Sequence, residues 1–313
     1  MKKLGLQFGA RIQLDVFEEL FANRLKGSGA RVPRSMKLAF REGESAQEKR
    51  IWSLIERWTV IQIHHLEQEV LIQEARLKEA SSKLKVKATK KAQEDIRISS
   101  AKFDTAMRKM KLLKENDFEA DDGEQRIYPD YYAPLIVWKG SERVIVPFRY
   151  RIEPRFASQS YSTYNARLDH LTHSRMWREL YGKNHGVLVI SRFYESISLN
   201  HFEHRELSPG ENEKRIEIEF KPKEPTDLLV PCIFDQILDS EFPLRSFALI
   251  TDEPNPEVLA AGHERTPAFL KQASLDPWIK TLGKKQSDFD QVLSDQEETF
   301  FENSVASTDY EIW

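Results

Sequence analysis

Gly186-Val187-Leu188-Val189-Ile190-Ser191-Arg192-Phe193-Tyr194-Glu195 is the stretch on which the fold class turns. Branched aliphatic and aromatic residues succeed one another without helical spacing. The run opens on glycine and closes on a carboxylate, so it reads as a buried strand over Gly186–Tyr194. Runs of the same character lie at Pro134–Trp138, Arg143–Tyr150, Arg215–Phe220, Leu228–Phe234 and Ser246–Thr251. A helix is predicted near 173–182. These strands lack the regular alternation with helices that builds a parallel sheet, which points to an α+β body of mostly antiparallel strands and away from a dinucleotide-binding fold. No GxGxxG, P-loop, HExxH or GxSxG motif occurs.

Upstream the character differs. Glu44 to Asp122 contains neither glycine nor proline and is rich in Glu, Lys, Ala, Gln, Leu and Ile, the composition of long helix. Leu54, Trp58, Ile61, Ile63, Leu66, Val70 and Leu77 form one apolar series; Ile96, Ser99, Phe103, Ala106, Met110 and Leu113 form a heptad-like second. The lysine-rich segment Ser81–Thr89 separates them. The expectation is a helical hairpin with arms near 46–80 and 92–116, packed through Ile96, Phe103 and Met110; one unbroken helix is the alternative. Leu14–Leu25 reads as an amphipathic helix. Asn255-Pro256 reads as an N-cap with proline at the first helical position of a short helix ending near Gly262, and Asp276-Pro277 repeats that signal. The predicted organisation is 1–41 as the N-terminal part of the body, 42–122 as the inserted hairpin, 123–283 as the main body and 284–313 as an acidic tail.

The 313 residues are 40% hydrophobic and 31% charged, enough apolar mass for a core and against a disordered chain. The apolar runs fall short of the roughly 20 residues that cross a bilayer, and the basic start lacks the apolar segment of a signal peptide. The lone Cys232 excludes an internal disulfide framework and reads as an inert core thiol. A cytoplasmic protein without cofactor, metal or membrane partner is expected. His64-His65 would face apart on a helix without a third ligand. His201 and His204 read as loop residues. Residues 284–313 carry two lysines against eight acids, so the net charge of −3 leaves +3 on residues 1–283, which permits a nucleic-acid partner without requiring one. Lys83, Lys85, Lys87, Lys90 and Lys91 make a basic hairpin tip, read as a solvated face.

Three groups of residues carry chemistry. Tyr164-Asn165-Ala166-Arg167 comes after the polar loop Ala157–Thr163; the amide both donates and accepts and the guanidinium suits phosphate. Glu195, beside aromatics at a strand end, is placed for the desolvation that makes a carboxyl a general acid. His263-Glu264-Arg265 comes after a short helix and offers a proton shuttle and a phosphate donor. Each has a plainer reading taken singly: an asparagine turn, a strand leaving the core, a satisfied histidine at a helix end.

In this order the motifs, with Phe193-Tyr194-Glu195 and Ser246-Phe247-Ala248-Leu249-Ile250-Thr251 leading to His263-Glu264-Arg265, resemble the SOS-response-associated peptidase (SRAP) family of abasic-site-processing proteins. Phe242–Pro254 and Glu206–Glu211 are similar to a bacterial branch with a long helical insertion, and Pro129–Pro134 to the family's strand entry. The resemblance implies two packed, largely antiparallel sheets forming a barrel-like body, and single-stranded DNA containing abasic sites as partner. It implies a covalent protein–DNA linkage in the DNA damage response, made when an N-terminal cysteine exposed by loss of Met condenses with the ring-opened sugar to a thiazolidine. Lyase activity and autopeptidase (hydrolase) activity belong to the same implication. Residue by residue it assigns Asn165 to hold the N-terminal residue and sugar, Glu195 to general acid/base work, His263 to proton transfer, and Arg167 and Arg265 to DNA phosphates. The sequence departs from the pattern at Lys2, where the family has cysteine; at Asp169, where it has glutamate; at Tyr150-Arg151-Ile152, for Trp-Gly-Leu; and at Glu264, for aspartate. Two accounts fit Lys2. One is a start about ten residues inside the family's first residue, since Gln7–Ile12 and Asp15–Phe17 resemble the residues downstream of Met-Cys-Tyr-Ser in that branch. The other is a homologue that binds DNA without crosslinking. The first is the expectation, because Asn165, Glu195 and His263 all remain. A third possible role is a scaffold whose hairpin recruits a partner that the sequence does not identify.

Overall fold

The run Gly186–Tyr194 is not one strand. In a computed structural model of the chain, which describes residues 1–87, 89–114, 126–153 and 163–307, the backbone breaks at Ser191-Arg192. His185–Ile190 and Phe193–Ser198 then enter different sheets. The break falls at the polar pair inside the run, while the apolar residues on either side line the same core.

In chain order the elements are α1 (Lys2–Phe8), β1 (Ala10–Ile12), α2 (Leu14–Leu25), α3 (Arg34–Leu38), α4 (Ala46–Val86), α5 (Lys90–Lys114), β2 (Tyr132–Lys139), β3 (Glu142–Tyr150), β4 (Asn165–Arg167), α6 (Arg175–Leu180), β5 (His185–Ile190), β6 (Phe193–Ser198), α7 (Leu199–Phe202), β7 (Arg215–Pro222), β8 (Leu228–Ile237), β9 (Leu244–Asp252), α8 (Pro256–Ala260), β10 (Thr266–Pro267), α9 (Leu275–Ile279), α10 (Gln286–Ser294) and β11 (Phe301–Ser307). They form two compact units, residues 1–16 with 127–313, and residues 17–126.

In the first unit, β3, β2, β5, β8 and β9 pair in sequence, and β9 pairs back to β3 through Arg149↔Ser246 and Tyr150↔Phe247, closing a five-stranded barrel. The pairs within it are antiparallel except β3–β9. β1 and β4 add parallel to β3 and β9, and β10 antiparallel to β9. The second sheet, β11-β7-β6, is antiparallel. The fold is α+β with two sheets, the larger closed on itself. Leu135, Val146, Phe148, Val230 and Phe247 from the barrel share one core with Ile197, Ile218, Phe220 and Phe301 of the second sheet. At the centre of the second sheet Phe193 stacks on Phe220 at 5.0 Å and meets Phe301 edge-on at 5.2 Å, geometries that aromatic quadrupoles favour. Cys232 is free and buried, and burial pushes its thiol up.

Residues 284–307 differ from the expected acidic tail. α10 buries Phe289 and Leu293, β11 pairs with β7 from Phe301↔Pro222 to Ser307↔Glu217, and residues 308–313 lie outside the described residues. The acids sit on the exposed sides of amphipathic elements, so the charge excess hid their apolar anchors. Phe289 also closes a cluster in which His185 stacks on Trp278 at 3.8 Å. His185 Nε2 accepts from the Gly182 N–H at 2.8 Å, so the ring proton sits on Nδ1 and is donated to the Trp278 carbonyl at 3.0 Å. At Asp276-Pro277 the helix is already under way: α9 begins at Leu275.

The second unit holds the hairpin. Ser45 caps α4 in a capping box with Glu48, their N–H···O bonds at 3.1 and 3.0 Å. α4 runs on to Val86, past the expected end near 80, because Ser81 and Ser82 do not interrupt it and Lys83 pairs with Glu79 one turn back at 2.6 Å. The second arm begins at Lys90. Ala80 of α4 and the heptad-spaced Ala92, Ser99 and Ala106 of α5 are all buried, while Ile96, Phe103 and Met110 are half-buried. Near the start of α4, Phe40 packs on Phe17 and Phe21 at 5.3 and 6.1 Å, and the Arg24 guanidinium lies 3.3 Å over the Trp58 ring.

Candidate active site

His263 is placed by the end of α8. Asn255 caps the helix, its side chain accepting from the Val258 N–H at 3.1 Å, and Pro256 opens it. Gly262 closes it with φ of 93°, donating to the Leu259 carbonyl at 2.9 Å, while the His263 N–H donates to the Val258 carbonyl at 3.1 Å. This is the paired closure of a Schellman motif. Only glycine serves at 262: a Cβ there would stand 3.0 Å from Cβ of His201, in a left-handed conformation. The chain turn thus fixes the backbone on both sides of the imidazole.

Glu195 comes from the second sheet, third residue of β6, opposite Ile218. Its Oε2 lies 3.3 Å from His263 Nε2, with side-chain exposures of 23% and 27%. The Arg265 carbonyl lies 2.8 Å from His263 Nδ1 and can only accept, so Nδ1 carries a proton. Nε2 of the neutral ring then presents a lone pair to Glu195. Burial raises the Glu195 carboxyl from 4.5 to about 8. A carboxyl kept protonated at neutral pH, beside the Nε2 of a ring whose other nitrogen faces a carbonyl, can pass a proton across the contact, as a group that both gives and takes protons during one reaction must.

Asn165 enters through a third side chain. It is the first residue of β4, opposite Leu249 on β9, and its Oδ1 accepts from the Tyr150 hydroxyl at 3.0 Å. Burial, with the Glu195 carboxylate nearby, pushes the Tyr150 phenol up, so it stays a donor. Tyr150 stacks on Phe247 at 5.3 Å and meets Tyr164 edge-on at 5.9 Å. Arg151 has φ of 154°, a conformation that favours glycine. Its backbone N–H donates to the Phe247 carbonyl at 3.1 Å, and its guanidinium bonds the Tyr164 hydroxyl and lies 3.2 Å from Asp130 Oδ2. Those contacts hold a non-glycine residue where the family pattern has glycine. Glu195 thus meets His263 directly, and Asn165 is held by Tyr150, whose phenol feels the charge of Glu195. Sequence reasoning missed Tyr150, and the available signal was an aromatic with a hydrogen-bonding tip at the end of the run 143–150.

Arg167 and Arg265 lie on either side of the end of β9, one closing β4 opposite Thr251, the other leading into β10. Neither is free. Arg167 forms a two-pronged pair with Asp169 at 2.6 and 3.0 Å, and Arg265 lies 3.9 Å from the same carboxylate and 3.7 Å from Glu253. The Arg167 guanidinium holds the Asp169 carboxyl down to about 2. Most of the loop Ala157–Thr163 lies outside the described residues. Among the described residues no group of three or more His, Cys, Asp or Glu could hold a metal ion, and no helix is long and apolar enough to cross a membrane.

Among solved structures the chain is similar to a Bacteroides thetaiotaomicron protein at 18% identity and a TM-score of 0.42, covering 56% of this chain and 73% of that one. It is also similar to a phage-related protein of Bordetella bronchiseptica, at 16% identity and a TM-score of 0.44 over 56% and 78% of the two chains. A second B. bronchiseptica protein gives 16% identity and 0.44 over 58% and 87%. A search of curated proteins finds no match. The family described as SOS response associated peptidase (SRAP) matches residues 96–309, a span that begins in α5, holds both halves of the Glu195–His263 pair and runs through α10 and β11. The chain belongs to the SOS response associated peptidase family.

Proposed function

We propose that the protein binds single-stranded DNA and acts at abasic sites through Asn165, Glu195 and His263, with Arg167 and Arg265 against backbone phosphates. The observation that carries this reading is the 3.3 Å approach of Glu195 Oε2 to His263 Nε2, with the ring tautomer fixed by the Arg265 carbonyl. An abasic deoxyribose is mostly a closed hemiacetal. Opening it moves one proton from the C1′ hydroxyl and delivers one to the ring oxygen, and a protonated carboxyl beside an unprotonated imidazole does both without net change in charge. The aldehyde so released is the electrophile. An N-terminal amine adds to it and loses water to give an imine; the thiolate of an N-terminal cysteine then adds to the imine carbon, the nitrogen takes a proton, and the thiazolidine ring closes. Asn165, with its carbonyl held by Tyr150, has its amide N–H₂ left to orient the sugar.

Position 2 of this sequence is Lys2, which supplies an amine but no thiol. The reading therefore separates into a covalent and a non-covalent form, and denaturing gel electrophoresis tells them apart. Single-stranded DNA with one abasic site is incubated with the chain as given and with the chain extended at its N-terminus to begin Met-Cys. A gel-stable adduct from the extended chain, with none from the other, is expected. Retention of both on native gels with no adduct from either would favour a reader without covalent chemistry, and absence of binding by both would sink the nucleic-acid reading.

A further inference from the structure

The two arginines at the end of β9 are arranged in a way that a simple phosphate clamp does not need. They reach the same place from opposite edges of one strand, and a carboxylate stands between them. Asp169 sits in the single turn Leu168–His170 after β4, two residues beyond Arg167, and its Oδ2 is 2.6 Å from one guanidinium and 3.9 Å from the other. A carboxylate facing a guanidinium fork presents two oxygens in the same plane and spacing as two oxygens of a phosphodiester. Glu253 is 3.7 Å from Arg265, and Glu253 and Glu264 both act on the charge of Arg167. The patch holds two positive groups and three negative ones.

We propose that Asp169 is a built-in competitor for strand phosphate, occupying the guanidinium groups of Arg167 and Arg265 until DNA displaces it, and so setting how weakly an undamaged single strand is held. This rests on the nucleic-acid reading above. The pair is suited to displacement. Arg167 and Asp169 are 46% and 48% exposed, where an ion pair contributes little, and they lie on one short turn, so the carboxylate swings away without disturbing β4. Arg265, at 21% exposure, is the better anchored of the two guanidinium groups. A strand whose phosphate displaces Asp169 leaves that carboxylate exposed to solvent and counterions. The net release of ions on binding is then smaller than two arginines would give alone. Discrimination is the consequence: contacts at the phosphates are partly cancelled, and the difference between strands falls to whatever fits beside Glu195 and His263.

The test is fluorescence anisotropy with a labelled single-stranded oligonucleotide lacking abasic sites, titrated at several salt concentrations. Asp169→Asn keeps the size and one acceptor oxygen and removes the charge. It is expected to tighten binding about 2- to 5-fold at low salt, the range of one exposed charge pair, and to steepen the slope of log K against log salt by about 0.7, one additional phosphate contact on a single strand. Asp169→Glu is expected to stay within about twofold of the unmodified protein. In an Arg167→Gln background the gain from Asp169→Asn is expected to shrink, since one competing partner is already gone. Binding by the unmodified protein with Asp169→Asn equal or weaker, and an unchanged slope, would overturn the proposal: Asp169 would then be positioning Arg167 and not competing for it. Absence of binding by the unmodified protein and all variants would overturn the nucleic-acid reading together with it. Thermal unfolding of each variant confirms that the comparison is between folded proteins.

Discussion

Glu195→Gln should stabilise the protein while removing its chemistry, and the stabilisation should depend on pH. Burial alone raises the Glu195 carboxyl from 4.5 to about 8. The folded state therefore binds its proton more tightly than the unfolded chain does. Below about pH 4.5 both states are protonated and the group contributes nothing; from there to about 8 the unfolded chain releases a proton that the folded one keeps, so stability falls as pH rises and levels off above 8. At about 1.4 kcal/mol per tenfold in proton affinity, the loss is at most about 5 kcal/mol. The side chain is 23% exposed, and solvent at that edge reduces the figure to roughly 2–3 kcal/mol. Glutamine has the shape of the protonated carboxyl, and its amide donates to the His263 Nε2 lone pair, but it never ionises. Thermal unfolding at about pH 5 and about pH 9 is the assay. Glu195→Gln should match the unmodified protein within about 1 °C at the lower pH and exceed it by roughly 4–6 °C at the higher one, at roughly 2 °C per kcal/mol for a chain of this size. An equal offset at both pH values, or a less stable variant at pH 9, would refute the desolvated-carboxyl account of the site.

The turn before His263 and the buried His185 each give a further expected outcome. Gly262→Ala puts a Cβ 3.0 Å from Cβ of His201 at φ of 93°, and should lower stability by about 1–2 kcal/mol while displacing His263; an unchanged melting temperature together with unchanged His263 chemical shifts would show that the turn tolerates a side chain. His185 is held neutral, burial lowering it from 6.5 to about 3, so it favours the folded state above pH 6.5 and that contribution is lost as pH falls toward 3. His185→Gln should flatten stability over that window, and an acid profile parallel to that of the unmodified protein would contradict it.

The barrel strands were readable because β-branched and aromatic residues fill both faces of β2, β5 and β8, leaving no helical period to confuse them. The turn that carries His263 was readable from Asn255, Pro256 and Gly262, whose side chains, or lack of one, suit cap, first turn and left-handed closure. The arms of the hairpin were readable from the missing glycines and prolines, and the seam from the heptad spacing of Ser99 and Ala106 among Ile96, Phe103 and Met110; the spacing did not tell that the small residues, Ala92 with them, are the buried ones and the larger three half-buried. β11 was hidden because Glu302, Asn303 and Ser304 are polar and exposed on an edge strand and Phe301 is its buried anchor. The break between β5 and β6 has one signal, the polar pair Ser191-Arg192, which is too short to separate two strands from one strand with a polar edge. At the site, the sequence offered Asn165, Glu195 and His263 as separate motifs. That the Tyr150 hydroxyl bonds Asn165, and that the Asp169 carboxylate lies between Arg167 and Arg265, are facts of tertiary placement.

The central claim is that Glu195 and His263 work as one proton-sharing unit. It is tested most directly by single-turnover formation of the gel-stable adduct between abasic single-stranded DNA and the chain extended to begin Met-Cys. Glu195→Gln and His263→Gln should each lower the rate by about 10²–10⁴-fold, the usual worth of a positioned acid or base. The double variant should fall no further than the worse single one, because either change disables the same unit. Single variants within a few-fold of the unmodified rate, or losses that multiply in the double variant, would contradict the shared-proton account.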